Sequence, residues 1–162
     1  HEIPLETVHY TVRFCAEHQI PVVLNPAPAA AVPMDVIEKV DYLTPNEHEA
    51  ALIFGDGVST DELLKKYPEK LVITQGSRGV TACTASGEVL RVPARPAKVV
   101  DTTGAGDTLN GAFAVQIAGG AGLEEALTYA NTAASGATEK FGAQSGMPSS
   151  EEVEKALGGW NR

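Results

Sequence analysis

The chain has 162 residues, of which 43% are hydrophobic and 20% are charged, and its formal net charge at pH 7 is −9. This length suffices for a buried core, and the composition is that of a soluble globular protein rather than a disordered or membrane-spanning one. The acidity excludes a broad nucleic-acid surface. Cys15 and Cys83 form no CxxC pair, which argues against a zinc site or a disulfide framework and favours the reducing cytosol.

Apolar spacing and turn signals predict alternating helices and short strands in the first half of the chain. Helices are predicted over residues 4–18, 34–39, 45–54 and 60–67, and strands over 21–24 and 41–44. The strand at 21–24 lacks polar alternation, as a strand interior to a parallel sheet would. This alternation indicates a layered α/β fold with a mainly parallel sheet.

The second half begins with strands predicted over 70–74, 80–84 and 89–92, a spacing typical of a meander. Val99-Val100 is predicted as a further strand. Helices are predicted over 105–118, 123–138 and 150–157. No repeat or linker interrupts the chain, so residues 1–162 are expected to belong to one domain.

Residues 101–113 read DTTGAGDTLNGAF, a glycine-rich turn before a predicted helix. The first N–H groups of a helix lack intrahelical acceptors and lie at the positive end of its dipole, so this turn is a candidate phosphate site. A dinucleotide fingerprint would need glycine where Leu109 stands, and no Gly-Lys-Ser/Thr of a Walker loop follows. A Rossmann-type dehydrogenase is therefore disfavoured.

Asp107 places a negative charge inside this anion-collecting turn. In one interpretation it is a first-turn carboxylate that stabilises the helix through the dipole. In the other it is a general base, which takes the proton of an attacking hydroxyl while backbone N–H groups hold the transferring phosphoryl group. The residues alone leave both interpretations open.

Two further stretches bear on this choice. In TPNEHEA, Asn46 and Glu49 lie on one face of a helix's first turn, where their oxygens either cap the helix or help to hold a hydrated Mg²⁺ near phosphate. In QGSRG, residues 75–79, the backbone N–H groups and the preceding Thr74 form either an ordinary tight turn or a frame for a nucleotide's phosphates.

Four motifs, TPNEHEA, VITQGSRG, DTTGAGDTLNGAFA and KFGAQSGMP, follow one another in an order and spacing that resemble the ribokinase-like family of carbohydrate kinases. LNPAPA at 24–29 resembles the same family. The resemblance implies an α/β/α fold and ATP-dependent phosphorylation of a sugar hydroxyl. It implies that Asp107 is the base and that Gly104 and the N–H groups of Ala105, Gly106 and Asp107 form the anion hole. The residues that it assigns to ATP and Mg²⁺ are Asn46, Glu49, Thr74, Gly76, Ser77, Gly79 and Asn131, the last beside the adenine ring.

The same resemblance implies a monovalent cation, usually K⁺, next to the anion hole. Its ligands would be the Asp101 carboxylate and four backbone carbonyls, those of Thr103, Ala137, Lys140 and Gly142. The chain departs from the family at Gly146, where a serine hydroxyl is common. Weaker cation binding is therefore expected.

The resemblance covers only the C-terminal, nucleotide-binding half of the family. Residues 1–162 are thus expected to be a single partial domain with an uncovered sheet edge, without the sugar-binding residues and the β-lid. Such a chain alone is expected to bind nucleotide without turnover, whereas the full-length protein, called the full chain below, would be a homodimer that uses ATP and a small sugar. Ribose is the leading substrate, with deoxyribose, fructose or a nucleoside as alternatives, and a non-catalytic nucleotide-binding regulator is the alternative function.

Overall fold

The structure is a computed structural model that describes residues 2–160. Its α-helices are α1 (Leu5–Glu17), α2 (Met34–Lys39), α3 (Glu47–Phe54), α4 (Thr60–Lys66), α5 (Ala105–Ala118), α6 (Leu123–Ala137), α7 (Ala143–Gly146) and α8 (Ser150–Trp160). Its strands are β1 (Val23–Leu24), β2 (Tyr42–Leu43), β3 (Val72–Thr74), β4 (Val80–Cys83) and β5 (Val89–Val92), and a 3₁₀ turn covers Gly76–Arg78. Helices and strands alternate in the first half of the chain, as predicted.

Strand pairing follows two patterns. β1 and β2 are parallel, with Val23 opposite Tyr42 and Leu24 opposite Leu43. The other sheet has the order β3-β4-β5, so strands consecutive in the chain are neighbours, as in the predicted meander. The strand at 21–24 was expected inside a sheet, but the pairing of the described residues gives β1 a single strand neighbour, β2.

The chain divides into two compact units. The first contains the residues up to Gln75 together with 81–90, and the second contains 76–80 and the residues from Arg91 onward. In the first unit, a core of aliphatic side chains is almost fully buried; it includes Val36, Ile37, Leu43, Leu64 and Leu71. In the second, α5 packs against α6, where small residues permit a close approach and Phe113 and Leu127 are fully buried.

Val99-Val100 does not form the predicted strand. Both side chains are mostly exposed, and the Val100 N–H donates instead to the Thr138 carbonyl at the end of α6 (2.8 Å). β-Branched residues favour an extended backbone but do not provide a pairing partner. None of the described helices combines the length and apolar character needed to cross a bilayer.

Candidate active site

Gly104 ends the glycine loop and caps α5. Its φ of +79° lies in the left-handed region, which residues with a Cβ rarely adopt. A Cβ at this position would also lie 3.0 Å from the Cα and Cβ atoms of Ala143. Glycine is therefore needed here both for the backbone conformation and for the close approach of residue 143.

The first turn of α5 contains N–H groups that no described residue accepts. The nitrogen of Ala105 is 3.3 Å from the Thr102 carbonyl oxygen, whereas the N–H groups of Gly106 and Asp107 have no acceptor among the described residues. A Cβ at Gly106 would meet no atom within 4 Å, so the space beside it is open. Two of the three predicted donors are thus free to bind an anion at the positive end of α5.

The side chain of Asp107 belongs to this same turn and is exposed. Within residues 2–160, no hydrogen bond or ion pair engages its carboxylate. Its oxygens therefore remain available to accept a proton from a bound hydroxyl. The arrangement also allows the dipole interaction of an ordinary first-turn acid.

Asp101 ties the glycine loop to the loop that follows α6. Its Oδ1 accepts the Thr103 N–H and its Oδ2 accepts the Gly142 N–H, both at 2.9 Å. Hydrogen bonds from the backbone and side chain of Thr103, together with the Gly142 N–H, hold the pKa of the Asp101 carboxyl below its ordinary value. The carboxylate is therefore ionised at neutral pH and joins two loops.

Of the carbonyls predicted to bind the monovalent cation, one already accepts a hydrogen bond and three do not. The Gly142 carbonyl accepts the Gly146 N–H at 2.8 Å. No donor among the described residues reaches the carbonyls of Thr103, Ala137 and Lys140. A Cβ on Gly146 would lie 2.8 Å from the Ala137 oxygen and 3.5 Å from the Lys140 oxygen, so these two oxygens converge on one small space. Unsatisfied, convergent carbonyl oxygens suit a cation.

The predicted nucleotide residues of the second unit are Gly76, Ser77, Gly79 and Asn131. Ser77 is exposed in the 3₁₀ turn, and the Gly79 N–H donates to the Gly76 carbonyl (3.0 Å). Asn131 is buried, and its Nδ2 donates to the carbonyls of Val92 (3.2 Å) and Pro93 (2.7 Å). Its amide group thus anchors the end of β5, while its place beside an adenine ring stays a prediction.

The first unit brings Asn46, Glu49 and Thr74 together. The Asn46 Oδ1 accepts the Glu49 N–H, and the Glu49 Oε2 accepts the Asn46 N–H, both at 2.8 Å, which is a capping box at the start of α3. Asn46 also pairs with Thr74 in an isolated parallel bridge. Glu49 is only 6% exposed, so it is not a solvated acid. The capping interpretation is confirmed, and the Mg²⁺ role of this pair stays a prediction.

A groove of about 570 Å³ lies elsewhere in the second unit, lined mainly by α6 and α8. Of the predicted site residues, only Lys140 lines it. Across residues 2–160, no three His, Cys, Asp or Glu side chains group closely enough to hold a metal ion. The Asp107 turn lies at the surface, because Gly106 and Asp107 are both exposed.

Comparison with known proteins assigns the family. Residues 1–150 match the family model described as pfkB family carbohydrate kinase. The chain belongs to the pfkB family of carbohydrate kinases. Ribokinase from Bacillus subtilis is 51% identical to this pfkB-family chain over 156 residues, which are 96% of this chain and 53% of that protein.

Solved structures of ribokinases confirm the ribokinase-like α/β fold. Ribokinase from Thermotoga maritima matches with a TM-score of 0.84 and 36% identity, over 97% of this chain and 54% of its own. Arabidopsis thaliana ribokinase, solved in complex with ribose and ATP, matches with a TM-score of 0.86 and 30% identity, over 96% and 53%. The chain thus spans about half the length of the relatives it matches.

Two features of this pfkB-family site were missed by sequence reasoning. One is the approach of Ala143 to Gly104, and the other is the Thr138 carbonyl, which accepts the N–H groups of both Val100 and Asp101. The sequence contained one signal for the approach of Ala143 to Gly104, because the glycine-alanine pair at 142–143 repeats the pair at 104–105. A backbone carbonyl leaves no mark in the sequence.

Gly104→Ala should destabilise the full chain by about 1 to 3 kcal/mol, because alanine must adopt a left-handed backbone and displace Ala143. Gly106→Ala is the matched control, since its Cβ enters open space inside a helix. Urea unfolding would measure both free energies. Equal losses in the two variants would mean that neither the left-handed backbone of residue 104 nor its contact with residue 143 has energetic weight.

Proposed function

We propose that the protein transfers the γ-phosphoryl group of ATP to a sugar hydroxyl, with ribose as substrate and ribose 5-phosphate as product. One observation carries the proposal: an exposed Asp107, which has no partner within residues 2–160, lies in the same helical turn as the open N–H groups of Gly106 and Asp107. A phosphoryl transferase needs a proton acceptor and an anion site side by side. Membership of a carbohydrate kinase family supports the choice of substrate class.

In the proposed reaction, the Asp107 carboxylate takes the proton of the ribose 5-hydroxyl as that oxygen attacks the γ-phosphorus. The bond from the γ-phosphorus to the bridging oxygen breaks, and ADP leaves with its electron pair. The N–H groups of the first turn of α5 stabilise the charge on the transferring group, aided by the helix dipole. Asp107 then releases its proton to solvent.

The proposed Mg²⁺ site uses Asn46 and Glu49. The capping box already engages the Asn46 Oδ1 and one Glu49 oxygen, so the pair fits Mg²⁺ best through bound water, which this ion retains readily. When bound with ATP, Mg²⁺ neutralises phosphate charge. ATP itself would lie against the turn formed by Gly76, Ser77 and Gly79, and Thr74 is a further residue proposed for the nucleotide.

The proposed K⁺ site uses the Asp101 carboxylate with the carbonyls of Thr103, Ala137 and Lys140. Those three carbonyls have no donor among the described residues, and the carboxylate is ionised, which fits a monovalent cation. The Gly142 carbonyl would contribute through its second lone pair. A cation here supplies a fixed positive charge beside the anion hole. At full length, we further expect a homodimer.

Replacing K⁺ with Na⁺ should lower kcat in the full chain, because a smaller ion fits these carbonyls poorly and Asp101 connects them to the glycine loop. Titration of KCl against NaCl at constant ionic strength would measure the effect. Asp101→Asn should weaken the K⁺ dependence in the same assay. Identical rates in the two salts would mean that no functional cation binds there.

The direct test of the proposed function is a coupled ADP-release assay of the full chain with ribose, deoxyribose, fructose and a nucleoside. Ribose should give the highest kcat/KM, because the 51% identical relative is a ribokinase. If another sugar gave a higher kcat/KM, that sugar would replace ribose as the proposed substrate. ATP binding without ADP release for any sugar would favour the non-catalytic nucleotide-binding alternative.

A further inference from the structure

The segment from Pro93 to Val100 connects β5 to the glycine loop and has no regular secondary structure. Its last two side chains, Val99 and Val100, are 61% and 57% exposed. Burial of apolar surface therefore does not fix the end of this segment, which leads directly into Asp101. Polar contacts must hold it instead.

Hydrogen bonds from the backbone of this segment to α6 and to the residue after it hold part of the segment in place. At the start of the segment, Asn131 donates to the Pro93 carbonyl at 2.7 Å. At its end, the Thr138 carbonyl accepts the N–H groups of Val100 (2.8 Å) and Asp101 (3.2 Å). Between these two anchor points, the segment needs a further contact.

Glu139 provides that contact with both of its carboxylate oxygens. Its Oε2 accepts Nη2 of Arg95 at 2.8 Å, and its Oε1 accepts the backbone N–H of Lys98 at 3.3 Å. The side chains of Arg95 and Glu139 are 24% and 36% exposed, so the pair is shielded better than a fully solvated ion pair. The Glu139 N–H donates to the Gly136 carbonyl (3.1 Å), which ties Glu139 to the end of α6.

We infer that Glu139 is a positioning residue for the anion hole, acting through Lys98 and Asp101 on the turn at Gly104 to Asp107. The inference rests on the proposed function, because it assigns that turn to phosphoryl transfer. Glu139 touches no reacting atom. It holds the segment whose exposed end leads into Asp101, and Asp101 in turn accepts the Thr103 N–H. It also stands between Ala137 and Lys140, whose carbonyls belong to the proposed cation site.

Three variants of the full chain distinguish the contact of Glu139 with Arg95 from its contact with the Lys98 N–H. Glu139→Ala removes both, Glu139→Gln keeps an amide oxygen for the Lys98 N–H but loses the charge, and Arg95→Gln removes only the ion pair. Since small misplacements of a catalytic group can cost about a hundredfold, Glu139→Ala should lower kcat about 10- to 100-fold and change the KM for ATP less than about threefold. Glu139→Gln and Arg95→Gln should each retain most of kcat.

Hydrogen exchange gives a readout that needs no activity. Among residues 98–107, the amides that have acceptors, such as those of Val100, Asp101 and Thr103, should exchange faster in Glu139→Ala than in Glu139→Gln or the parent chain. Asp35→Ala is the matched control, because it removes another arginine–carboxylate pair (Arg13–Asp35, 2.7 Å) in the first unit. It should change neither kcat nor exchange at 98–107.

The inference is overturned if Glu139→Ala and Glu139→Gln behave alike, or if exchange at 98–107 in Glu139→Ala matches the Asp35→Ala control. A kcat for Glu139→Ala within about twofold of the parent value would also overturn it. If the parent chain transfers no phosphoryl group, the proposed function fails. Exchange in the Ala and Gln variants then decides alone whether Glu139 positions the turn.

Discussion

Asp107→Asn in the full chain should lower kcat for sugar phosphorylation by about 10²- to 10⁴-fold, or about 3 to 5 kcal/mol of activation free energy. Asparagine preserves the size of the side chain but cannot accept the proton of the attacking hydroxyl. The N–H groups of residues 106 and 107 remain in place, so the dissociation constant of ATP should change little. Steady-state kinetics and calorimetric ATP titration would measure the two quantities.

Glu124→Gln is the matched control for this substitution. Glu124 is an exposed first-turn acid of α6, so both changes remove a favourable interaction with a helix dipole, about 0.3 to 1 kcal/mol. Only Asp107→Asn removes the proposed base, and Glu124→Gln should leave kcat unchanged. If Asp107→Asn retains more than about a tenth of kcat while phosphoryl transfer is rate-limiting, Asp107 is only a helix-stabilising acid.

Gly79→Ala should be the most destabilising of the glycine substitutions in this site. A Cβ at residue 79 would overlap the Val92 carbonyl oxygen and lie 2.7 Å from the Ala94 nitrogen, and φ is +95°. Both obstacles are backbone atoms, so no side-chain rotation relieves the overlap. Backbone strain and overpacking together should lower the free energy of unfolding by about 2 to 6 kcal/mol. Urea unfolding would measure the loss.

Gly76→Ala tests the same turn without the steric overlap. Gly76 has a φ of +56°, and a Cβ there would meet nothing within 4 Å. Gly76→Ala should lower the free energy of unfolding only by the cost of placing alanine in a left-handed conformation, about 1 to 2 kcal/mol. If Gly76→Ala and Gly79→Ala lowered the free energy of unfolding equally, the end of β5 would move aside at little cost. That result would contradict the expectation that the close approach of Val92 makes Gly79→Ala the more destabilising change.

Local signals in the sequence account for most of the helices. α5 spans residues 105–118 and α2 spans 34–39, as predicted, since glycine or proline marks where each begins. β5 has the predicted bounds, but the other strands are shorter than predicted because an extended run forms a strand only where a partner pairs with it. The run at 70–74, for example, yields a three-residue β3, and Val99-Val100 yields no strand.

The site was predictable only in part. Motif recognition brings Asp107, Asp101 and Gly104 into one proposed centre, and the structure places all three in one continuous loop and helix start. The bonds from Asn131 to the end of β5 join residues far apart in sequence, as do those from Glu139 to the segment before Asp101. Such contacts depend on tertiary packing, which no local pattern encodes.

The most direct test of the proposed phosphoryl transfer is a single-turnover experiment with the full chain, ribose and γ-³²P-labelled ATP, analysed by rapid quenching and mass identification of the labelled product. In the parent chain, the label should move from ATP to ribose 5-phosphate. In Asp107→Asn, transfer should be slower by about 10²-fold or more, with ATP still bound. Label that remains in ATP, or that appears as inorganic phosphate whether or not ribose is present, would contradict the proposed transfer.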